Sequence, residues 1–237
     1  MSKKIHLYPT PPHECTYLDN RVARTVFIDP KLPQRANLYD RLSLHGFRRS
    51  GYHIYRHDCQ DCQECLSVRV PVQEFVPRRS QRRVWRKNED LTVSLVAPKF
   101  ESEHFELYCR YQNSRHEGGG MDNPTPKSYI EFLNSNWSKT GFAEFRLDGQ
   151  LLAIAVIDRI KTGLSAVYTF FDPDYSSRSL GAYAILWQIE KAKRLKLDNL
   201  YLGFWIKDSQ KMGYKAEYQP LESYFQGKWQ KQEVKKK

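Results

Sequence analysis

The sequence has no long apolar run and few acidic residues. Its longest uninterrupted apolar stretch, residues 151–157, has seven residues, whereas a membrane-spanning helix needs about 20. The first dozen residues, with Lys3, Lys4 and Pro9, contain no apolar core of the kind that a secretory signal requires. Asp and Glu number 27 against 38 Lys and Arg, which leaves a formal net charge of +11. We therefore expect a cytoplasmic protein with no membrane partner and with an anionic partner, most commonly a nucleic acid.

Cysteine is also scarce, and the odd number of five does not suit a disulfide framework. Three of the five follow one another at two-residue gaps, as Cys59, Cys62 and Cys65, and Cys15 is available as a fourth ligand. This spacing indicates a possible zinc or iron-sulfur site, because thiolates are the ligands that both prefer. The alternative is a set of reduced thiols in surface loops. Three histidines could substitute as ligands: His13, His53 and His57.

Aromatic residues are plentiful, and 237 residues are enough for one large domain or two modest ones. We interpret residues 1–76 as a small cysteine-bearing domain, 77–227 as a second domain and 228–237 as a basic tail. Hydrophobic periodicity predicts helices over 100–113, 128–137 and 181–196, and strands over 91–96, 143–147, 151–157, 164–171 and 199–206. Three consecutive strands with short turns, followed by a helix and a strand, indicate an α/β (α+β) fold with a mostly antiparallel sheet.

A strongly basic segment lies just after the predicted domain boundary. On a helix its cations would form one broad face, and like charges at this spacing weaken a helix. Phosphates would offset that repulsion, so we interpret the segment as a nucleic-acid contact. The alternative is a solvated face neutralised by acids such as Glu89 and Asp90. The basic residues are Arg78, Arg79, Arg82, Arg83, Arg86 and Lys87.

The turn at 178–181 links the predicted strand 164–171 to the predicted helix 181–196. Backbone N–H groups at such a turn bind anions, and the spacing from Arg178 to Gly181 is similar to that of the phosphate loop of the GNAT acyltransferases. Asp172 is the carboxylate directly at the end of the strand. The plainer interpretations are a helix cap at Ser179 and an Asp-Pro turn at 172–173.

Several longer motifs, in order along the chain, resemble the bacterial aspartate/glutamate leucyltransferases. These enzymes are leucyl-tRNA-protein transferases related to the eukaryotic arginyl-tRNA-protein transferases. The similarity covers residues from about 8 to 225. Its motifs are residues 21–27, the cysteine triplet with 67–72, and segments 78–83, 114–122, 164–173, 178–181 and 201–206.

The resemblance implies a GNAT-like C-terminal domain preceded by the cysteine-bearing domain. It implies transfer of leucine from leucyl-tRNA to proteins that begin with Asp or Glu, which marks them for N-degron degradation. We expect no cofactor for the transfer itself, because the replacement of an aminoacyl ester by an amide is downhill. The eukaryotic relatives hold a metal centre with an N-terminal Cys-x-x-Cys, of which this chain keeps Cys15 but has Leu18 at the second position. In an acetyl-CoA enzyme a small residue is expected two positions after Gly181, where this chain has Tyr183.

Aminolysis of an ester by an α-amine requires mainly positioning, because part of the amine is already neutral near pH 7. We predict that the reaction centre lies around Tyr168, Phe170 and Asp172, with Asp172 orienting the amine or accepting its proton. The tRNA end is predicted to lie on Arg178, Ser179, Leu180 and Gly181. The acidic N-terminus of the acceptor requires a cationic partner, for which the candidates are Arg115, His116 and Arg178.

Two other functions explain part of the sequence. A non-catalytic RNA-binding zinc module would account for the charge and the cysteines, but it leaves the turn at 178–181 without a role. An acetyl-CoA-dependent GNAT acyltransferase would account for that turn, and CoA binding would distinguish it.

Overall fold

The computed structural model describes residues 5–32, 35–115 and 124–232. In the N-terminal region, four short strands form an antiparallel sheet in the order β1-β4-β6-β5, and β2 pairs with β3 in a separate ribbon. These strands are β1 (Leu7–Pro9), β2 (His13–Glu14), β3 (Val22–Ala23), β4 (Thr25–Ile28), β5 (Arg48–Ser50) and β6 (His53–His57), with helix α1 (Arg35–Ser43) between β4 and β5.

The rest of the chain forms an eight-stranded sheet in the order β14-β13-β7-β12-β11-β10-β9-β8. All of its neighbouring strands are antiparallel except β11 and β12, which are parallel. The strands are β7 (Leu66–Pro71), β8 (Thr92–Val96), β9 (Thr140–Leu147), β10 (Gln150–Ile160), β11 (Gly163–Phe171), β12 (Asn199–Trp205), β13 (Glu222–Phe225) and β14 (Lys228–Lys231).

Helices cover both faces of this sheet. They are α2 (Arg79–Lys87), α3 (Ser102–Arg115), α4 (Pro126–Leu133) and α5 (Leu180–Arg194), with short 3-10 helices at Pro173–Arg178 and Gly213–Glu217. Helices α2 and α5 pack on one face, in a core that includes Phe145 and Ile189. Helices α3 and α4 pack on the other face, in a core that includes Tyr129 and Phe170. Because both faces are covered, β10 is buried along nearly its whole length.

The predicted mixed fold with a mostly antiparallel sheet is confirmed. Its central part is the meander β9-β10-β11, as the sequence predicts. The turn between β9 and β10 has Asp148 at φ 48° and Gly149 at φ 88°, the two positive values that a tight two-residue hairpin requires. Helix α5 then crosses over from β11 to its parallel neighbour β12, which forms the one β-α-β unit of the described sheet.

Strand β7 links the two parts of the chain. It precedes the predicted boundary at residue 77, yet it lies inside the large sheet between β13 and β12. The two sheets are also joined by a buried ion pair between Arg49 on β5 and Asp158 on β10, at 2.6 and 2.8 Å. Strand β14 falls within the predicted basic tail. Within the described ranges, no helix is long and apolar enough to cross a bilayer.

Candidate functional site

The large sheet opens at its centre. Strands β11 and β12 are paired over only three residues each, from Gly163 with Asn199 to Ser165 with Tyr201. Beyond these pairs the two strands continue to Phe171 and Trp205 without pairing to each other. Backbone groups that face such a gap need other partners. The opening between residues 166–171 and 202–205, which we call the β11–β12 opening, is therefore the place in the sheet where a ligand can reach backbone donors and acceptors.

Exposure along β11 supports this interpretation. Residues 166–169 are only half-buried although they lie in the middle of an eight-stranded sheet, whereas the neighbouring residues of β10 are buried. On β12, Gly203 has φ 83° and lies at a shift of register against β7. Such a bulge alters the direction of a strand, which here accompanies its divergence from β11.

Two basic side chains lie on the facing edges of this opening. Arg48 of β5 donates from Nη2 to the carbonyl oxygen of Ala166 on β11, at 2.9 Å. Lys215 of the 3-10 helix donates to the carbonyl oxygen of Phe204 on β12. Sequence reasoning missed both residues. Nothing around them forms a motif, and their meeting depends on contacts between distant segments of the chain.

Tyr168 lies beside the opening, at the edge of the α3 and α4 core. Its hydroxyl accepts a hydrogen bond from Nε2 of Gln112 at 3.2 Å, and its ring contacts Phe132 and Tyr111 edge to face. Burial raises the pKa of Tyr168, so the phenol stays protonated near neutral pH. It can therefore donate a hydrogen bond there but cannot act as a base.

Phe170 and Asp172, the other two residues of the predicted reaction centre, are both buried. Phe170 packs against Tyr108 and Tyr129 in the core under α3 and α4. One oxygen of Asp172 accepts from the backbone N–H of Asp174 at 3.1 Å, and the other lies 3.0 Å from Arg110. These contacts hold the end of β11 and the start of the following 3-10 helix.

The turn at 178–181 is fastened to the end of α2. Arg178 makes two hydrogen bonds to Asp90, at 2.9 and 2.8 Å, which lower the pKa of that carboxyl. Lys87 donates to the carbonyl of Ser177 at 2.7 Å, and Asn88 donates to the carbonyl of Arg178 at 2.9 Å. The structure thus brings the predicted tRNA-end turn and the basic segment together.

Within this turn, the three residues after Arg178 differ in their surroundings. Ser179 is exposed and has φ 54°, whereas Leu180 is buried in the core. A side chain at Gly181 would lie 3.1 Å from the ring of Phe171, so the absence of a side chain allows α5 to begin close to the end of β11.

The basic segment forms helix α2, preceded by Arg78. Its cations are exposed, and the apolar side of the helix packs on α5, where the ring of Trp85 lies 5.4 Å from that of Tyr183. Trp85 is therefore largely a packing residue. The cationic face of α2 points to solvent, as binding to phosphates requires.

Of the residues predicted to bind the acidic N-terminus, Arg115 ends helix α3 and is exposed. Its guanidinium lies 5.5 Å from the centre of the Phe171 ring, a cation–π contact at the far end of β11. His116 and the three following glycines lie outside the described residues. Arg178 is already paired with Asp90, as described above.

The four predicted metal ligands gather beside the N-terminal sheet. Burial raises the pKa of the Cys65 thiol to about 12, and the neighbouring thiols of Cys59, Cys15 and Cys62 add to this effect. Cys59 contacts the backbone of Arg24, accepting from its N–H at 3.4 Å. Among the described residues, however, no group of three or more His, Cys, Asp or Glu side chains is arranged to hold a metal ion. The thiols as placed here do not fit a zinc or iron-sulfur site.

The three histidines proposed as substitute ligands each make contacts of another kind. Nδ1 of His57 lies 3.3 Å from Oγ1 of Thr25, and burial, followed by the charge of His13, lowers the pKa of His57 to about 4. His13 itself contacts the carbonyl of Pro11 at 3.1 Å. His53 lies on β6 with its ring against Phe27.

Comparisons with known proteins place the chain in a family. Residues 13–83 match the model "Arginine-tRNA-protein transferase, N terminus", and residues 103–225 match "Arginine-tRNA-protein transferase, C terminus". The aspartate/glutamate leucyltransferase of Hahella chejuensis is 51% identical over 96% of this chain and 97% of its own length. The protein of the same name from Pseudomonas entomophila is 48% identical over 95% and 96%.

Among solved structures, FemX superposes with a TM-score of 0.51 at 11% identity, over 94% of this chain and 89% of its own. At that identity the likeness concerns the fold alone, and it agrees with a GNAT-like sheet. Relatives that are about half identical in sequence cover nearly the whole chain. The N-terminal and the C-terminal model of one family also match it, and both findings lead to the same assignment. The chain belongs to the arginine-tRNA-protein transferase family, together with the bacterial aspartate/glutamate leucyltransferases.

Proposed function

We propose that the protein transfers leucine from leucyl-tRNA to the α-amine of proteins that begin with Asp or Glu. The observation that carries this proposal is the match of nearly the whole chain, at 51% identity, to a curated aspartate/glutamate leucyltransferase. The product would be a protein that begins with leucine, and we propose the cytoplasm as the place of reaction and N-degron degradation as its consequence.

Different parts of the structure suit different steps of this reaction. The exposed cations of α2 and Arg78 would bind backbone phosphates near the acceptor end of the tRNA. The turn at 178–181, which is fastened to α2, would then place the terminal adenosine beside the end of β11. The leucyl ester would enter the β11–β12 opening, where backbone donors face a gap in the sheet.

The chemistry in the opening is ester aminolysis. The neutral α-amine attacks the ester carbonyl, a C–N bond forms, and the C–O bond to the tRNA ribose breaks. The proton lost by the attacking nitrogen goes to the departing ribose oxygen. Holding the amine and the ester in attack geometry supplies up to roughly 7–11 kcal/mol of the barrier, and donors to the developing oxyanion add a few kcal/mol more.

The proton relay is the least constrained step. Asp172 stays our predicted participant, although its two oxygens are engaged by Arg110 and by a backbone N–H. The Asp172→Asn substitution keeps the shape and the contact with that N–H. If Asp172 relays the proton, the variant should lose turnover while its affinity for tRNA is unchanged; full turnover would remove Asp172 from the mechanism.

The experiment that tests the proposed function uses tRNA charged with radiolabelled leucine and peptides that differ only in the first residue. We expect label in peptides that begin with Asp or Glu and none in those that begin with Arg or Ala. Transfer of arginine from arginyl-tRNA, without transfer of leucine, would show that the donor is arginyl-tRNA. Acetylation of the peptides by acetyl-CoA, or RNA binding without any transfer, would replace the proposal with one of the two other functions.

A further inference from the structure

Arg48 and Lys215 form an unusual pair of buried positive charges. Each is only 5% exposed, and each lies at the β11–β12 opening. Within the described part of the chain, neither makes an ion pair with Asp or Glu. Buried cations are costly unless an anion compensates them. The fold therefore leaves a place for a negative charge that the described residues do not supply.

Both side chains have donors left over. Nη1 of Arg48 is buried and has no hydrogen-bond partner. Lys215 gives one hydrogen bond to Phe204 and one, at 3.2 Å, to the sulfur of Met212, although an ammonium group has three donors. A buried donor without a partner destabilises the fold, and a bound acceptor would remove that cost.

There is also space between the two cations, in front of Gly203. The position that a Cβ atom would occupy on Gly203 has no neighbouring atom closer than 3.6 Å. Its three nearest neighbours are Nη2 and Nε of Arg48, at 3.6 and 3.7 Å, and Nζ of Lys215, at 3.7 Å. A small group at the mouth of this space would have a cation on either side.

The other ionisable groups around this space do not neutralise the cations. Burial, followed by the charge of Arg48, lowers the pKa of Lys215 to about 7. Burial raises the pKa of Tyr55 to about 12, so its phenol stays uncharged near neutral pH. An anion that enters this space would be attracted by the guanidinium of Arg48 and would favour the charged form of Lys215.

We propose that Arg48 and Lys215 bind the side-chain carboxylate of the first residue of the acceptor protein, an inference that rests on the proposed leucyl transfer. A carboxylate suits this place better than a phosphate, because the space before Gly203 is small and a planar carboxylate is smaller than a tetrahedral phosphate. The two side chains anchor on β11 and β12, the strands between which the ester would lie. The α-amine of that first residue is attached to the same Cα atom as its side chain. It would then lie beside the ester carbonyl.

The test compares matched peptides that begin with Asp or Asn, and with Glu or Gln, in the wild type and in Arg48→Gln and Lys215→Met. Leucyl transfer is measured under single-turnover conditions at saturating leucyl-tRNA, over a series of peptide concentrations. We expect kcat/KM for the acidic peptides to fall at least tenfold in each variant and the rate with Asn and Gln peptides to stay within about threefold. The Asp-to-Asn preference should therefore drop at least about threefold.

Two further variants keep the test decisive. Arg48→Lys retains a charge and should restore part of the Asp-to-Asn preference, even if Arg48→Gln folds poorly. Lys127→Gln removes an exposed cation of α4 and should leave both rates unchanged.

An equal fall with acidic and neutral peptides, or an unchanged preference in a well-folded variant, would overturn the inference. Either result would indicate that Arg48 and Lys215 stabilise the oxyanion of the reaction or the folded protein instead. Failure of the wild type to transfer leucine to any acidic peptide would instead refute the proposed function.

Discussion

The protein carries its positive charge in two contrasting regions. On α2 and at Arg78, several cations are exposed to water on one helical face. At the β11–β12 opening, two cations are buried and lie on either side of a small space. The exposed cations are well suited to attract a polyanion over a distance, and they are individually replaceable. The buried ones cost stability and are justified by a ligand of defined shape.

The same contrast separates two neighbouring residues of β5. Arg49 is fully buried but is paired with Asp158, whereas Arg48 has no acidic partner among the described residues. Arg49→Met leaves the Asp158 carboxylate buried and unpaired, which should lower the free energy of unfolding by about 3–5 kcal/mol. Arg48→Met removes an uncompensated charge and should change the free energy of unfolding by less than about 1 kcal/mol. Urea unfolding of both variants measures this difference, and equal losses would show that Arg48 also serves the fold.

The second prediction concerns the exposed region. Charge reversal of Arg82 and Arg83 should raise KM for leucyl-tRNA by about tenfold or more at moderate salt, because each lost phosphate contact also removes its counterion release. The dependence of tRNA affinity on salt should become less steep, while turnover at saturating tRNA stays the same. Kinetics at two salt concentrations, with the exposed Lys127→Glu as a control, measure this effect. An unchanged KM would exclude α2 from tRNA binding.

The third prediction uses the pKa of Lys215, which is lowered to about 7 in the fold from an ordinary value of 10.5. Between these two pH values the unfolded chain binds more protons than the native protein, so the free energy of unfolding should rise with pH. The rise is at most about 1.4 kcal/mol per pH unit for one group. The difference between the wild type and Lys215→Met, from pH 7 to 9, isolates this contribution. A difference that does not vary with pH would contradict a lowered pKa for Lys215.

The smallest expected effect belongs to the exposed ion pair between Arg178 and Asp90. Asp90→Asn should lower the free energy of unfolding by no more than about 1 kcal/mol, since salt and water screen such pairs. The loss should shrink further in high salt. Unfolding at low and high salt checks this, and a large salt-independent loss would show that the pair behaves like Arg49 and Asp158.

Local patterns in the sequence were enough to predict the meander with its short turns, helix α5 and the cationic face of α2. Each depends on periodicity or composition within about 15 residues. The pairing of β7 with β12 and β13 was beyond such reasoning, because these strands are far apart in sequence and register is a tertiary property. For the same reason a domain boundary at 77 looked natural although β7 belongs to the large sheet.

Site residues were harder to predict than the fold. The position of Asp172 at the end of a strand was evident, but its partner Arg110 comes from α3 and cannot be inferred from nearby sequence. The cysteine spacing indicated a metal site, yet spacing does not determine how the thiols are oriented. Arg48 belongs to an ordinary basic pair with Arg49, and only the assembled sheets show which of the two has an acidic partner.

The most direct test of the β11–β12 opening as the transfer site is a structure of the protein with a non-hydrolysable leucyl-adenosine analogue and a peptide that begins with Asp. The leucyl group should lie between β11 and β12, with the Asp carboxylate within hydrogen-bond distance of Nη1 of Arg48. An analogue bound elsewhere, with the space before Gly203 filled by no part of the peptide, would contradict the account.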